Sequence, residues 1–166
     1  WNVDLRTDET LTSLRGATMS GLRSDLVLFN SKGNADFFRM SGDVDADPGD
    51  VPILDLPAVV SMIHSWSLRS PDDVNSVGGR WLEHGAYAVV GSSAEPQLSA
   101  FVAPDLYARR LAGGVPVLIA ARWWMAQSPA MAAVWRINTL GDPLMIAPPP
   151  QGTVRRTVKP DMPLAT

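Results

Sequence analysis

The chain of 166 residues carries 46% apolar and 19% charged residues, the composition of a folded globular domain rather than a disordered chain. Its net charge is −3 and it holds no basic patch interleaved with aromatic residues, which argues against nucleic acid as a partner. The longest apolar stretch, Val115 to Met125, is interrupted by Arg122 and is too short to cross a bilayer. We therefore expect a single domain that does not span a membrane.

The chain contains no cysteine. This excludes disulfides, thiolate zinc sites, iron–sulfur clusters and thiol nucleophiles, and we expect no cofactor. A cysteine-free chain suits both reducing and oxidising surroundings, so the composition assigns no localisation. Because the first residue is Trp1 rather than Met, we expect a processed chain or one part of a longer protein.

The first third of the chain predicts a helix followed by a strand. Apolar residues recur at three- and four-residue spacing over residues 8–22, where Thr7 and Thr10 offer hydroxyls to the first turn. Residues 25–30 form a short apolar run that ends in polar residues, as a buried parallel strand does. Residues 37–38 begin a short extended segment.

An acidic loop is predicted over residues 41–52, with the carboxylates of Asp43, Asp45, Asp47 and Asp50. An EF-hand calcium loop requires glycine at its sixth position and glutamate at its twelfth. Counted from Asp43, those positions hold Pro48 and Leu54, so the segment is not an EF-hand. An irregular calcium site formed by Asp43, Asp45 and Asp47 and a solvated loop are the two interpretations that this pattern leaves.

Strands and helices alternate over the rest of the chain. We predict strands over residues 58–64, 86–90 and 134–140 and helices over residues 74–84, 97–111 and 115–127. The strands are apolar throughout, which is typical of an α/β fold with a mostly parallel sheet flanked by helices on both faces. This domain spans residues 1–147, and the Pro-rich residues 148–166 predict an extended C-terminal tail.

Several segments occur in an order that resembles a known fold. They are AVVSMIHSWS, GGRWLEHGAYAVVGSS, LYARRLAGG, VLIAARWWMAQ and a closing Gly-Asp-Pro-Leu. Residues 61–144 resemble the second half of the caspase-like fold of gingipain-type peptidases and CHAT-domain proteases. The resemblance implies a caspase-like domain truncated at its N-terminus, with a nucleophile loop after residue 63 and a base loop at residues 30–33.

Both catalytic positions that the resemblance implies carry other residues. The nucleophile loop holds His64, Ser65, Trp66 and Ser67 where the family has a cysteine, and the base loop holds Asn30-Ser31-Lys32-Gly33 where it has His-Gly. The chain is not a cysteine peptidase because it has no cysteine, and a serine hydroxyl without an adjacent base is inert. We expect a non-catalytic pseudo-peptidase that serves as a structural or interaction subunit of a larger assembly.

The alternative is a serine-type hydrolase that uses Ser65, or less favourably Ser67, with Lys32 or His64 as the base. Neighbouring residues on a strand point to opposite faces, which disfavours a direct pair of His64 and Ser65. A pair of Ser65 with Lys32 from the adjacent loop fits the geometry better. The other interpretation of His64 and Ser65 is that both residues hold the loop backbone together.

Candidate interface residues lie in the C-terminal third. Adjacent residues on a helix diverge by about 100°, so Trp123 and Trp124 cannot both face the core. The outward one is either covered by the chain itself or exposed to a partner. Arg155 and Arg156 in the tail could contact an acidic protein or lipid head groups peripherally, or remain solvated. Other protein subunits are the partners that we expect.

Overall fold

The computed structural model describes residues 6–7, 9–123 and 136–147. In chain order its elements are α1 (Leu11–Ser20), β1 (Leu26–Asn30), β2 (Phe38–Met40), β3 (Val44–Ala46), β4 (Ala58–Ile63), α2 (Val77–Glu83), β5 (Ala86–Ser92), α3 (Pro104–Ala112), α4 (Val117–Ala120) and β6 (Ile137–Gly141). Two short 3-10 helices cover Pro48–Asp50 and Leu98–Ala100. The predicted tail at residues 148–166 lies outside the described residues.

The main sheet has four strands in the order β1-β4-β5-β6. β1, β4 and β5 run parallel, and β6 pairs antiparallel to β5. The prediction of a mixed α/β fold with a mostly parallel sheet is therefore confirmed. β4 shows why the pattern was informative, since five of its six residues are buried, as a central parallel strand requires.

Helices cover both faces of this sheet. On one face, Val60 and Met62 of β4 share a buried apolar cluster with Trp81 of α2 and Leu14 of α1. On the other face, Val59 of β4 belongs to a second cluster that includes residues of α3 and α4. Burial of apolar surface on both faces stabilises the layered arrangement.

Capping residues fix where the helices begin and end. Thr10 caps α1 by accepting a hydrogen bond from Ser13 N, as predicted. Ser76 caps α2 by accepting from Gly79 N, so this helix begins three residues later than predicted. Gly85 follows the helix with a φ of 106°, the left-handed conformation expected of a C-terminal glycine.

Other predicted boundaries also differ from the structure, including the end of the predicted helix 115–127 at Ala120, and two of the differences have a clear local cause. The predicted helix over residues 97–111 is instead a 3-10 turn followed by α3, because Pro104 starts a new helix and cannot continue an earlier one. The acidic segment 41–52 is not entirely loop, since it contains β3 and the 3-10 helix Pro48–Asp50. β3 pairs antiparallel with β2 in a separate two-stranded sheet.

Candidate functional site

Two polar loops leave the sheet side by side. β1 and β4 are parallel neighbours whose last residues, Asn30 and Ile63, are paired. The backbone N–H of Ser31 extends this pairing by donating to Ile63 O at 3.1 Å. The loops that follow, residues 31–37 and 64–70, therefore occupy the end of the sheet where parallel α/β folds place their ligands. The base loop and the nucleophile loop named from the resemblance lie in these two segments. From here both names are used for the whole segments, residues 31–37 and 64–70.

The His64 side chain is inserted under the base loop and is only 2% exposed. Its Nε2 lies 2.6 Å from Asn34 O, and because a carbonyl can only accept, Nε2 carries the proton. Nδ1 is buried and makes no hydrogen bond within the described part of the chain. Burial lowers the pKa of His64, against opposing effects that include the backbone groups of Asn34 and the charge of Glu95. The imidazole is therefore held neutral.

Gly33 provides the space for this ring. A β-carbon at position 33 would collide with Cε1 of His64 and with the carbonyl oxygen of Phe37. Gly33 also has a φ of 155°, which L side chains rarely adopt. The glycine of the base loop is therefore required for packing, whatever the chemistry of the site.

The Ser65 hydroxyl meets a carboxylate rather than either base considered from the sequence. Ser65 Oγ donates to Glu95 Oε1 at 2.9 Å. The His64 ring bonds to Asn34 instead, and Lys32 is exposed, with no ion pair or hydrogen bond from its ammonium group to other described residues. The structure thus brings together neither Ser65 and Lys32 nor Ser65 and the ring nitrogens of His64.

Glu95 was missed in the sequence analysis. It stands three residues beyond the end of β5, in the third of the loops that leave the carboxyl ends of the parallel strands. The signal was its position, because polar residues that follow neighbouring parallel strands converge at the same end of a sheet. A glutamate after a Gly-Ser-Ser strand end offers no spacing or motif that would single it out.

Ser67 ties the nucleophile loop to β5. It is 1% exposed, and its Oγ accepts a hydrogen bond from Ser92 N at 2.9 Å. Ser92 Oγ in turn donates to His64 O at 2.8 Å, and Leu68 N donates to Ser92 O at 2.8 Å. These bonds satisfy buried polar groups, so the role of Ser67 is to fix the loop.

Trp66 lies between the two serines in an unusual backbone conformation. Its φ is 60°, which is uncommon for a bulky residue. The Arg69 guanidinium carbon lies 4.7 Å from the centroid of the half-buried Trp66 ring, a cation–π contact. The nucleophile loop therefore presents a fixed aromatic ring with a cation above it.

The acidic residues considered as calcium ligands already have partners. Arg39 donates from Nε to Asp45 at 2.7 Å and from a terminal nitrogen to Asp43 at 2.8 Å. Asp47 accepts from Gly49 N at 2.7 Å as the cap of a 3-10 helix. Over the described ranges, no group of three or more His, Cys, Asp or Glu side chains is placed to hold a metal ion. Within the described residues, these carboxylates therefore bind groups of the chain itself, and the calcium site stays a prediction.

Of the interface candidates, only Trp123 lies within the described residues. Its indole N–H donates to Ser99 O at 3.1 Å, and Arg110 lies 5.6 Å from its ring centroid. Its side chain is 39% exposed, so the chain itself covers part of it and the rest faces outward. Trp124, Arg155 and Arg156 lie outside the described residues.

Comparisons with known proteins identify no family for this chain. No protein-family model matches it, and searches of curated proteins and of solved structures find no match. In the part of the chain that the structure covers, no helix has the length and apolar character needed to cross a membrane. The function is therefore argued from the geometry of the two loops.

Proposed function

We propose that the chain is a non-catalytic caspase-like domain that serves as a structural or interaction subunit of a larger assembly. The proposal is supported by the order of elements, in which β4 runs into the nucleophile loop, α2 leads through Gly85 into β5, and β6 closes the sheet. It is also supported by the parallel pairing of β1 with β4, which sets the base loop beside the nucleophile loop.

The single observation that carries the non-catalytic part is the environment of Ser65. Its only hydrogen-bond partner among the described residues is Glu95, an exposed side chain. A catalytic base acts in a site that excludes water, whereas the Glu95 side chain is exposed. In a catalytic triad a third residue orients the base by a hydrogen bond, but no described side chain other than Ser65 bonds to Glu95. The neutral imidazole that could remove a proton is instead buried against Asn34.

Labelling with a fluorophosphonate probe tests this proposal. The probe modifies activated serines, so we expect no labelling of the wild-type chain above that of Ser65→Ala at pH 5 or pH 7.5. Ser93→Ala is the matched control, because Ser93 is an exposed serine in the neighbouring loop. Labelling that is lost in Ser65→Ala and retained in Ser93→Ala would overturn the non-catalytic proposal.

The same hydrogen bond favours one alternative function, a serine-type hydrolase with Ser65 as nucleophile and Glu95 as base. In this scheme Ser65 Oγ attacks a carbonyl carbon while its proton passes to Glu95, which returns it to the leaving group. Water then hydrolyses the acyl-serine. Labelling that disappears in both Ser65→Ala and Glu95→Gln would establish this alternative in place of the first proposal.

The subunit part of the proposal requires its own test. Purification of the chain from its natural source by a mild affinity step, followed by mass spectrometry and light scattering, should find it in a stoichiometric complex. A monodisperse monomer at native concentration would contradict the proposal, whatever the labelling experiment shows.

A further inference from the structure

We propose that the nucleophile loop is an acceptor site for an acidic side chain of a partner polypeptide, and that Glu95 occupies one part of this site, the Ser65 hydroxyl, within the chain. The proposal rests on the interaction role proposed above and gives that role a contact surface and a ligand chemistry. It follows from backbone N–H groups of the turn that lack acceptors within the described residues, from the Arg69 guanidinium stacked on Trp66, and from the Glu95 carboxylate that accepts from Ser65.

The backbone at the turn has hydrogen-bond donors to spare. The N–H groups of Ser65 and Trp66 donate to no acceptor among the described residues. Trp66 is in the left-handed conformation, and turns that contain such a residue expose successive N–H groups that attract anions. Ser65 and Trp66 are half-buried residues of a surface turn, so these N–H groups are available to water or to a ligand.

Arg69 adds a fixed positive charge to the same turn. Its guanidinium stacks on Trp66 at 4.7 Å, and its backbone N–H donates to Trp66 O at 3.0 Å. No carboxylate pairs with it within the described ranges, whereas Arg80 and Arg109 each pair with an acidic neighbour on their own helix. A stacked guanidinium is pre-organised for carboxylate binding, since less side-chain freedom is lost when the ligand arrives.

Glu95 shows that the site accepts the proposed ligand group. Its carboxylate receives the Ser65 hydroxyl at 2.9 Å, although 30 residues separate the two in sequence. Both groups are in contact with solvent, and Glu95 belongs to an exposed loop, so an incoming carboxylate can displace it without opening the core. Glu95 therefore competes with an incoming carboxylate for the Ser65 hydroxyl, while Arg69 and the backbone N–H groups of the turn remain available to it.

The site also explains why the loop is held so firmly. Ser67, Ser92 and the buried His64 fix the turn from below through hydrogen bonds to β5 and the base loop. A rigid set of donors binds an anion with less loss of conformational freedom than a mobile one. The residues below the turn are thus positioning residues for Ser65 and Arg69.

The test is a titration of the isotope-labelled chain, followed by backbone amide chemical shifts, with acetyl-Ala-Glu-Ala-amide as the probe. We expect the amides of Ser65 to Arg69 to shift in the wild type. Glu95→Gln should bind the peptide at least threefold more tightly because the internal competitor is removed, and Arg69→Gln should bind it at least fivefold more weakly. Arg109→Gln is the matched control, since it also removes an exposed arginine charge.

Three results would overturn the inference. They are equal binding of acetyl-Ala-Gln-Ala-amide, equal weakening by Arg69→Gln and Arg109→Gln, and acetate binding as tight as that of the peptide. The last would indicate a small carboxylate rather than a polypeptide as the ligand. Fluorophosphonate labelling of Ser65 would overturn the proposed function, whereas any of these three results by itself would overturn only the acceptor site.

Discussion

Acidification is expected to destabilise the fold through His64. Burial lowers the pKa of this imidazole, while the backbone groups of Asn34, Phe37 and Ser31 and the charge of Glu95 oppose the shift. A histidine in the unfolded chain has a pKa of about 6.5. As the pH falls through that value, the unfolded chain binds a proton that the folded chain does not, so the free energy of unfolding decreases.

The size of the effect follows from one proton. Between the unfolded pKa and the lower folded pKa, the slope approaches about 1.36 kcal/mol per pH unit. Integrated from pH 7.5 to pH 5.5, the loss is at most about 1.4 kcal/mol, because only one proton is involved. Below the folded pKa the His64 contribution no longer changes, because both states are then protonated.

Urea unfolding followed by tryptophan fluorescence at pH 7.5, 6.5 and 5.5 measures this loss. His64→Gln keeps an N–H donor for Asn34 O but does not titrate, so its stability should change little over this range. His84→Asn is the matched control, because the chain has two histidines and an asparagine amide can replace Nδ1 of His84 as donor to Val51 O. If His64→Gln and the wild type have the same pH dependence, the reasoning is refuted.

Two further predictions concern packing. Gly33→Ala should lower the free energy of unfolding by about 2 kcal/mol or more, because its β-carbon meets the His64 ring and its φ is unfavourable for alanine. Thermal denaturation measures this loss, with Gly16→Ala as the control because nothing lies within 4 Å of a β-carbon there. An equal effect of the two substitutions would contradict the prediction. Trp81→Ala should cost about 3–5 kcal/mol in urea unfolding, since Trp81 is 2% exposed and fills the first cluster. Trp123→Ala, whose side chain is 39% exposed, should cost less, and a cost equal to that of Trp81→Ala would be inconsistent with the packing described.

The sequence was sufficient to predict the parallel strands, because strands that are buried on both faces consist of continuous runs of apolar residues. β1, β4 and β5 all lie within one or two residues of the predicted runs, since each is apolar nearly throughout. The antiparallel direction of β6 could not be predicted in this way. An antiparallel strand at the side of the sheet has the same composition as a parallel one, and only the path of the chain distinguishes them.

The short hairpin was missed because its residues do not look like a strand. β3 holds Val44, Asp45 and Ala46, and Asp45 is stabilised there by Arg39 on the opposing strand. Cross-strand pairing of opposite charges offsets the low strand propensity of aspartate, and such pairs are invisible until the register is known.

The sequence predicted which loops lie together at the end of the sheet, but not which of their side chains are in contact. The rule that polar residues gather beyond parallel strand ends located His64, Ser65 and the base loop. Which side chains touch depends on backbone direction at the turn, where Trp66 has a positive φ and the His64 ring lies under the base loop. In that turn the Ser65 hydroxyl donates to Glu95 rather than to Lys32 or the imidazole. No periodicity in the sequence predicts this hydrogen bond.

Because β6 runs antiparallel to β5, it begins at the carboxyl end of the parallel strands and ends towards their amino end. The chain enters at Ile137, opposite Ser92, and Arg136 O receives a hydrogen bond of 3.0 Å from Ser93 N in the loop that carries Glu95. It leaves at Gly141, opposite Ala88, near the start of β5. The chain that follows Gly141 therefore leaves the sheet at the end opposite to the one where β4 leads to Ser65.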